Sequence, residues 1–460
     1  MFYSFNAPFQ GADLLRPLAK SSAAISLLLL SFSATAENKP QELSPDKVKG
    51  NNLTLASAIK RTLKENPSLK VFSYRQTALE GRQQQQALTP GYELGVELEN
   101  FAGTGDLSGI GAAGFTVSLS SVLEMADKRA ARLGVVNNRT RVVAAERKLA
   151  SLNLLAEVTR RYIAVLGGQE RVLLAIEARQ LAQETLQEVE KRFNAGAAPG
   201  AEVKRATAAV GNANLTVFGE RQQLEQSKLA LAMMWQQSEP SFSRVQGDLF
   251  NFPADIEFGR LFAKVKQNPA ILVLAGEERL KAAEIRLARA RAKADIKWSV
   301  GLKQNQALDD TAITAGFSLP LFTPERNQGA LVSAQAGREQ VLARKESAEL
   351  KLGSQLFLAY SSRKQAIFTA RSLQNTIIPT LQQALDETQV AYQSGRYSYL
   401  DYITARQELL FARRALIEAG IAALSYGADI EQLIAEPLSV SSSPIASGQG
   451  LKNDFQGLTQ

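Results

Sequence analysis

The chain has 460 residues, of which 45% are apolar and 21% charged. That balance argues for one large folded domain, or two to three ordinary ones, rather than a disordered chain. Neither Cys nor His occurs, which excludes disulfides, thiolate or imidazole metal sites and Cys- or His-based nucleophilic catalysis. The formal charge is +8, but the basic residues are spread along the chain. This is the pattern of a solvated helical surface, not of a nucleic-acid-binding patch.

The first segment reads as an export signal. Arg16 and Lys20 approach an apolar run at 23–32, and Ala34-Thr35-Ala36 supplies a small-x-small cleavage site. A run of about ten residues is too short for a spanning helix. Residues 1–36 are therefore predicted to be a signal peptide. No later segment has 18 consecutive apolar residues, so residence in a membrane would require a closed β-barrel.

An internal repeat organises the rest. Asn66-Pro67-Ser68-Leu69 returns as Asn268-Pro269-Ala270-Ile271, and Gly114-Phe115-Thr116-Val117 as Gly316-Phe317-Ser318-Leu319, both 202 residues later. Each copy predicts the same order. A short helix (55–65; 256–267) is stopped by Asn-Pro. A second helix (68–88; 270–294), a β-hairpin (about 92–121; about 295–321) and a very long helical stretch (127–193; 327–392) follow. A Gly-containing tip then leads to a return helix ending near Trp235 or Ile434. The copies span 37–235 and 256–435, joined by a linker at 236–255, with a disordered tail predicted at 436–460. Pro379 predicts a kink in the second long stretch. Some 65 helical residues reach about 100 Å, and apolar steps of three and four, as in Leu149, Leu152 and Leu155, fit a coiled-coil tube better than a compact core.

The hairpin strands alternate with period two. Tyr92, Leu94, Val96 and Leu98 oppose Glu93, Gly95, Glu97 and Glu99. Phe115, Val117 and Leu119 oppose Thr116, Ser118 and Ser120. Ile296, Trp298, Val300 and Leu302 oppose Lys297, Ser299, Gly301 and Lys303, and Ile313, Ala315, Phe317 and Leu319 oppose Thr314, Gly316 and Ser318. One apolar and one polar face over seven to ten residues suits a membrane strand. Four strands cannot close alone, and open edges cannot sit in lipid. The predicted fold is therefore mainly α with a small membrane β-barrel: a long antiparallel helical coiled-coil tunnel plus four strands per chain, three chains completing a 12-stranded barrel. The polar faces place Glu93, Glu97 and Glu99 in the lumen, with Lys297 and Lys303 available to offset part of their charge. A soluble periplasmic coiled-coil scaffold would explain the helices but not the hairpins.

With these features, residues 53–435 resemble the TolC-type outer membrane factor family, and within it the CzcC-like heavy-metal efflux branch. The resemblance rests on Glu97-Leu98-Glu99-Asn100-Phe101, Lys128-Arg129-Ala130-Ala131-Arg132, Ser318-Leu319-Pro320-Leu321-Phe322 and Arg326-Asn327-Gln328-Gly329. That branch usually carries Gly-Gly before the Lys-Arg pair, where this chain has Ala126-Asp127. The resemblance implies a passive homotrimeric exit duct in outer-membrane lipid. It also implies docking to a periplasmic adaptor and an inner-membrane transporter of the resistance-nodulation-division type. Heavy-metal cations of the cobalt, zinc and cadmium kind are the implied cargo; drug efflux or type I secretion uses the same fold. The tips Gly196–Glu202 and Gly395–Asp401 become the adaptor-facing gate. In the family an Asp at the position of Asp401 lines the constriction, and Glu202 takes that role by repeat analogy. Arg396 either pairs with a carboxylate to lock the closed state or is a solvated charge. Gly196 and Gly395 also suit a helix-ending turn. No Walker loop, G-x-S-x-G motif or cofactor fingerprint occurs, so neither enzyme, cofactor nor resident metal is expected.

Overall fold

The computed structural model describes residues 52–438 apart from 102, 106–109, 307 and 322. The expected signal peptide and residues 439–460 of the expected tail lie outside the described residues. Strand β1 (Asn52–Leu53) leads into α1 (Leu55–Glu65) and α2 (Pro67–Ala87). The hairpin β2 (Glu93–Glu99) and β3 (Gly114–Leu123) follows, then α3 (Lys128–Asn194) and α4 (Gly200–Ala232). After β4 (Arg244–Val245), the second copy comprises α5 (Phe258–Val265), α6 (Pro269–Arg291), β5 (Ile296–Asn305), β6 (Asp310–Ser318), α7 (Thr323–Ser372), α8 (Ile378–Gln393) and α9 (Tyr399–Ile434).

The repeated Asn-Pro motif performs one task twice. Proline at the first helical position lacks only an N–H that would be unpaired anyway. The preceding Asn caps the helix: Asn66 Oδ1 accepts from Ser68 N at 3.0 Å and Asn268 Oδ1 from Ala270 N at 2.8 Å. Each Asn amide also holds the far end of its own copy. Asn66 Nδ2 donates to Met234 O at 2.8 Å, and Asn268 Nδ2 to Leu433 O at 2.9 Å.

The 67-residue α3 is about 100 Å long. Near the sheet it packs beside α2 and α6, and further down beside α4 and α9. Its interface uses Val142, Val158, Val165 and Val189, all essentially inaccessible, and closes tightly at Gly167, where Ile421 leaves no room for a Cβ. The partner stretch is not broken at Pro379. Instead α7 passes through one π turn, Leu373–Ile377, into α8. The widened turn accommodates the missing N–H and the ring without ending the helix.

Residues 236–255 are more than a connector. β4 pairs in parallel with β1, Leu53 opposite Val245. Gln169 grips Val245 by its amide, accepting from N at 2.8 Å and donating to O at 3.2 Å. Tyr162 Oη donates to Leu53 O at 2.9 Å. Around them Trp235, Phe242, Val245 and Leu249 form a buried cluster with Val158, Val165 and Ile417. Each such side chain contributes about 1.5–3 kcal/mol. The short helix α5 ends nearer its core, at Leu261 and Val265, than the expected 256–267.

The sheet has the order β2-β3-β5-β6, antiparallel throughout. The β3–β5 pairing welds the two copies together. Gly301 is required there, because a Cβ would stand 2.6 Å from Val117 O. The outer strands β2 and β6 each have one unpaired edge among the described residues.

Candidate functional site

The register turns the sequence alternation into two surfaces. Leu94, Leu119, Val300 and Ala315 form one row across the sheet, and Val96, Val117, Leu302 and Ile313 the next. This face has no cover: Leu94 is 73% exposed, Ile313 79% and Phe317 84%. Aromatic residues border it at both ends. Tyr92 meets Trp298 edge-on at 6.3 Å, with Phe317 opposite Trp298; Phe101 and Phe115 lie at the other end. The ten residues of β3, like the ten of β5, span about 33 Å along the strand, or about 23 Å across a membrane at the tilt of a barrel. Among the described residues no helix is long and apolar enough to cross a membrane.

The opposite face is polar and lined by small residues. The row Gly95, Ser118, Gly301 and Thr314 lies beside the row Glu97, Thr116, Lys303 and Ala312. Lys297 Nζ reaches Glu93 Oε2 at 3.0 Å, and Lys303 pairs with Glu99. Glu97 makes no ion pair among the described residues. Of the five predicted lumenal charges, four are thus joined and one carboxylate stands apart.

Where sheet becomes helix, Ala126 and Asp127 both adopt positive φ, 62° and 53°. This left-handed pair explains why glycines suit these two positions. It delivers Lys128 into a buried site, with Nζ 2.6 Å from Lys293 O and 2.7 Å from Asp295 Oδ2. Asp295 also accepts from Met125 N at 2.9 Å, and Arg132 pairs with Glu124. Of this motif Lys128 alone anchors one copy to the other, while Arg129 is exposed and Arg132 pairs within its own copy.

At the far end, Gly196 and Gly395 have φ of 73° and 76°. Their bonds are equivalent: Gly196 N to Phe193 O and Ala197 N to Arg192 O, Gly395 N to Tyr392 O and Arg396 N to Ala391 O. These are paired Schellman ends, each requiring the left-handed residue that glycine supplies. Beyond them the tips differ. Asp401 turns back on Ser398, accepting from Ser398 N at 3.0 Å and from its hydroxyl at 2.7 Å, which completes a capping box on α9. The hydroxyl bond, then the backbone bond, holds its carboxyl below the usual range. Arg396 donates to Ser394 Oγ at 3.0 Å and makes no ion pair among the described residues, so the carboxylate lock is not formed among them. Glu202 does not copy Asp401; it points to the other tip and accepts from Tyr392 Oη at 3.3 Å.

Sequence reasoning passed over the cluster between the tips. Tyr392 is 1% exposed and stacks on Tyr402 at 5.5 Å, with Tyr399 at 6.3 Å. The Arg192 guanidinium lies 4.3 Å above the Tyr392 ring and donates to its carbonyl. Burial, then the Glu202 charge, pushes the Tyr392 phenol up to about 12. Arg406 donates to Thr185 Oγ1 at 2.8 Å from α9 across to α3. The spacing of Tyr392, Tyr399 and Tyr402 across a Gly turn was the available signal.

A small sheet with one bare apolar face and one polar face, set on helices far longer than a compact domain needs, defines an outer-membrane channel with a helical tunnel. The outer membrane efflux protein family model matches residues 58–235 and 265–435, and the chain belongs to that family. The cobalt-zinc-cadmium resistance protein CzcC of Cupriavidus metallidurans is 25% identical over 363 residues, covering 78% of this chain and 85% of the relative. A membrane protein from Pseudomonas aeruginosa superposes with a TM-score of 0.71 at 18% identity, covering 85% of this chain and 92% of the other. CusC, in crystal structures concerned with transmembrane channel formation, gives 0.69 at 16%, covering 84% and 92%. The expected TolC-type resemblance and mainly helical fold are borne out. The protein is an outer-membrane efflux channel, its helices in the periplasm, and its fold and family are those of channels rather than enzymes.

Proposed function

We propose that three copies of this chain form the passive exit duct of a tripartite efflux system for divalent heavy-metal cations. The carrying observation is the position of the unsatisfied edges. β2 and β6 end the sheet on opposite sides. In the helical part, α2 and α4 flank α3 on one side and α7 lies on the other. These helices present bare Val71 and Tyr74, Leu215 and Phe218, and Leu350, Phe357 and Phe368. A head-to-tail contact joining unlike edges generates a ring if it closes. Three copies give twelve strands and satisfy the strand edges in lipid. The tips, with Gly196, Glu202, Gly395, Arg396 and Asp401, then form the periplasmic gate. They dock to a periplasmic adaptor beneath which an inner-membrane transporter of the resistance-nodulation-division type supplies energy.

The relative named for cobalt, zinc and cadmium resistance supports the choice of cargo. The chemistry is compatible with release rather than capture: lumenal oxygen ligands hold soft cations weakly, and neither Cys nor His is present. Growth of a deletion strain on cobalt, zinc and cadmium tests the cargo. Sensitivity to drugs with unchanged metal tolerance would move the protein to drug efflux. Single-channel recording of Asp401→Ala tests the gate: loss of cation block from the tip side is expected, and unchanged block would remove Asp401 from the constriction.

A further inference from the structure

The tip cluster contains a charge without a counter-charge. Arg406 is 6% exposed, yet no carboxylate of the described residues pairs with it. Its Nη1 donates to Thr185 Oγ1 at 2.8 Å and to Leu181 O at 3.4 Å, and its Nε has no acceptor. Tyr399 and Tyr402 lie near its charge, and both belong to the apolar cluster of Val189, Leu385, Tyr392 and Leu409. Glu202, the carboxylate of this cluster, is taken by Tyr392. An arginine stays charged at neutral pH. A buried ion lacking a partner costs several kcal/mol relative to an apolar side chain of similar volume.

Such a cost is tolerated where it serves a second state. Thr185 lies on α3, whereas Arg406 lies on α9, whose first turn is the second tip. If α9 moves away from α3, water reaches the guanidinium and the cost vanishes. The apolar packing of Tyr392, Tyr402 and Leu409 is lost in the same movement. The two changes oppose each other, so the packed and separated tips lie closer in free energy than either contribution alone implies.

We propose that Arg406 is a built-in destabiliser of the closed tip, a buried cation that sets how readily the periplasmic end opens. The proposal rests on the reading of the tips as a gate. Its distinguishing consequence is a pair of opposite effects. Arg406→Met removes the charge and keeps the volume, so the closed tip becomes more stable. Thr185→Val keeps the charge and removes its best acceptor, so the closed tip becomes less stable. Arg406→Lys retains a cation and behaves like the unchanged protein.

Two measurements on the full-length assembled protein decide it: thermal denaturation in detergent and ionic current in planar lipid bilayers. The expected result for Arg406→Met is a higher melting midpoint and an open fraction lowered about tenfold, an uncompensated buried charge being worth at least a decade in a two-state equilibrium. For Thr185→Val both shifts reverse. A lower midpoint for Arg406→Met, or an unchanged current in both variants, overturns the proposal, leaving Arg406 as an ordinary packing residue. If the unchanged protein carries no current at all, the channel reading fails instead. The order of the melting midpoints still decides whether the charge destabilises the tip: Arg406→Met no higher than the unchanged protein would overturn that part too.

Discussion

Lys128 Nζ lies 2.7 Å from Asp295 Oδ2, and this contact holds the first copy of the repeat against the second where sheet turns into helix. The lysine is buried and the aspartate partly exposed. Replacing Lys128 by Met leaves Asp295 with one backbone donor, Met125 N, and frees the Lys293 carbonyl. Removal of one partner of a buried pair costs about 3 kcal/mol, reduced here to roughly 2 by the exposure of Asp295. Lys128→Met should melt earlier, whereas Arg129→Met on the exposed neighbouring position should not; equal melting of both would refute the clamp.

The residues before that lysine carry a different kind of cost. Ala126 holds a left-handed φ that its Cβ disfavours by about 1 kcal/mol. Ala126→Gly should therefore raise stability by roughly 0.5–1 kcal/mol, despite the greater freedom glycine has in the unfolded chain. Asp127→Gly should give less, because Asp tolerates that region better. Denaturant titration of both variants provides the comparison.

At the tips, the Tyr392 phenol is pushed up to about 12 from an ordinary 10. The unfolded chain then loses its proton first as pH rises. The contribution of the neutral phenol is complete below pH 10 and disappears between 10 and 12. Tyr392→Phe should abolish that alkaline loss of stability and, by freeing Glu202, loosen the closed tip at neutral pH. A pH series of melting curves checks the first effect and bilayer current the second.

Leu302 lies in the middle row of the bare apolar face, beside Val117 and Ile313. Arg at that depth costs about 2–4 kcal/mol in a membrane barrel. Leu302→Arg should reduce the assembled protein recovered from outer membranes, while Lys303→Arg on the polar face leaves it unchanged. Similar recovery of the two would mean that the apolar face does not meet lipid.

Features with a period or a repeat were legible in the sequence. Leu94, Val96 and Leu98 alternate over a whole strand, so their common face follows from backbone geometry alone. Asn66 and Asn268 are findable because the same motif recurs. What escaped notice lacked both properties. β1 and β4 pair over two residues each, too short for any pattern. Pro379 marked the irregularity, but nothing local announced its form, a five-residue π turn, Leu373–Ile377, that lies against α9. Arg406 looked like one more solvated helix charge, since nothing local announces that Thr185, on another helix, lies above it. Tip residues Glu202 and Asp401 occupy equivalent places in the repeat, yet only one is followed by the geometry to cap its own helix: Ser398 precedes Asp401, where Pro199 precedes Glu202.

The unpaired edges of β2 and β6 also bear on inheritance. In the proposed ring of three, every chain would supply one edge and receive another, so no subunit could be faulty alone. A cell making equal amounts of sound chain and of a chain blocked at β6 would have only about one ring in eight wholly sound. A defect confined to one strand edge would then act dominantly over a normal copy.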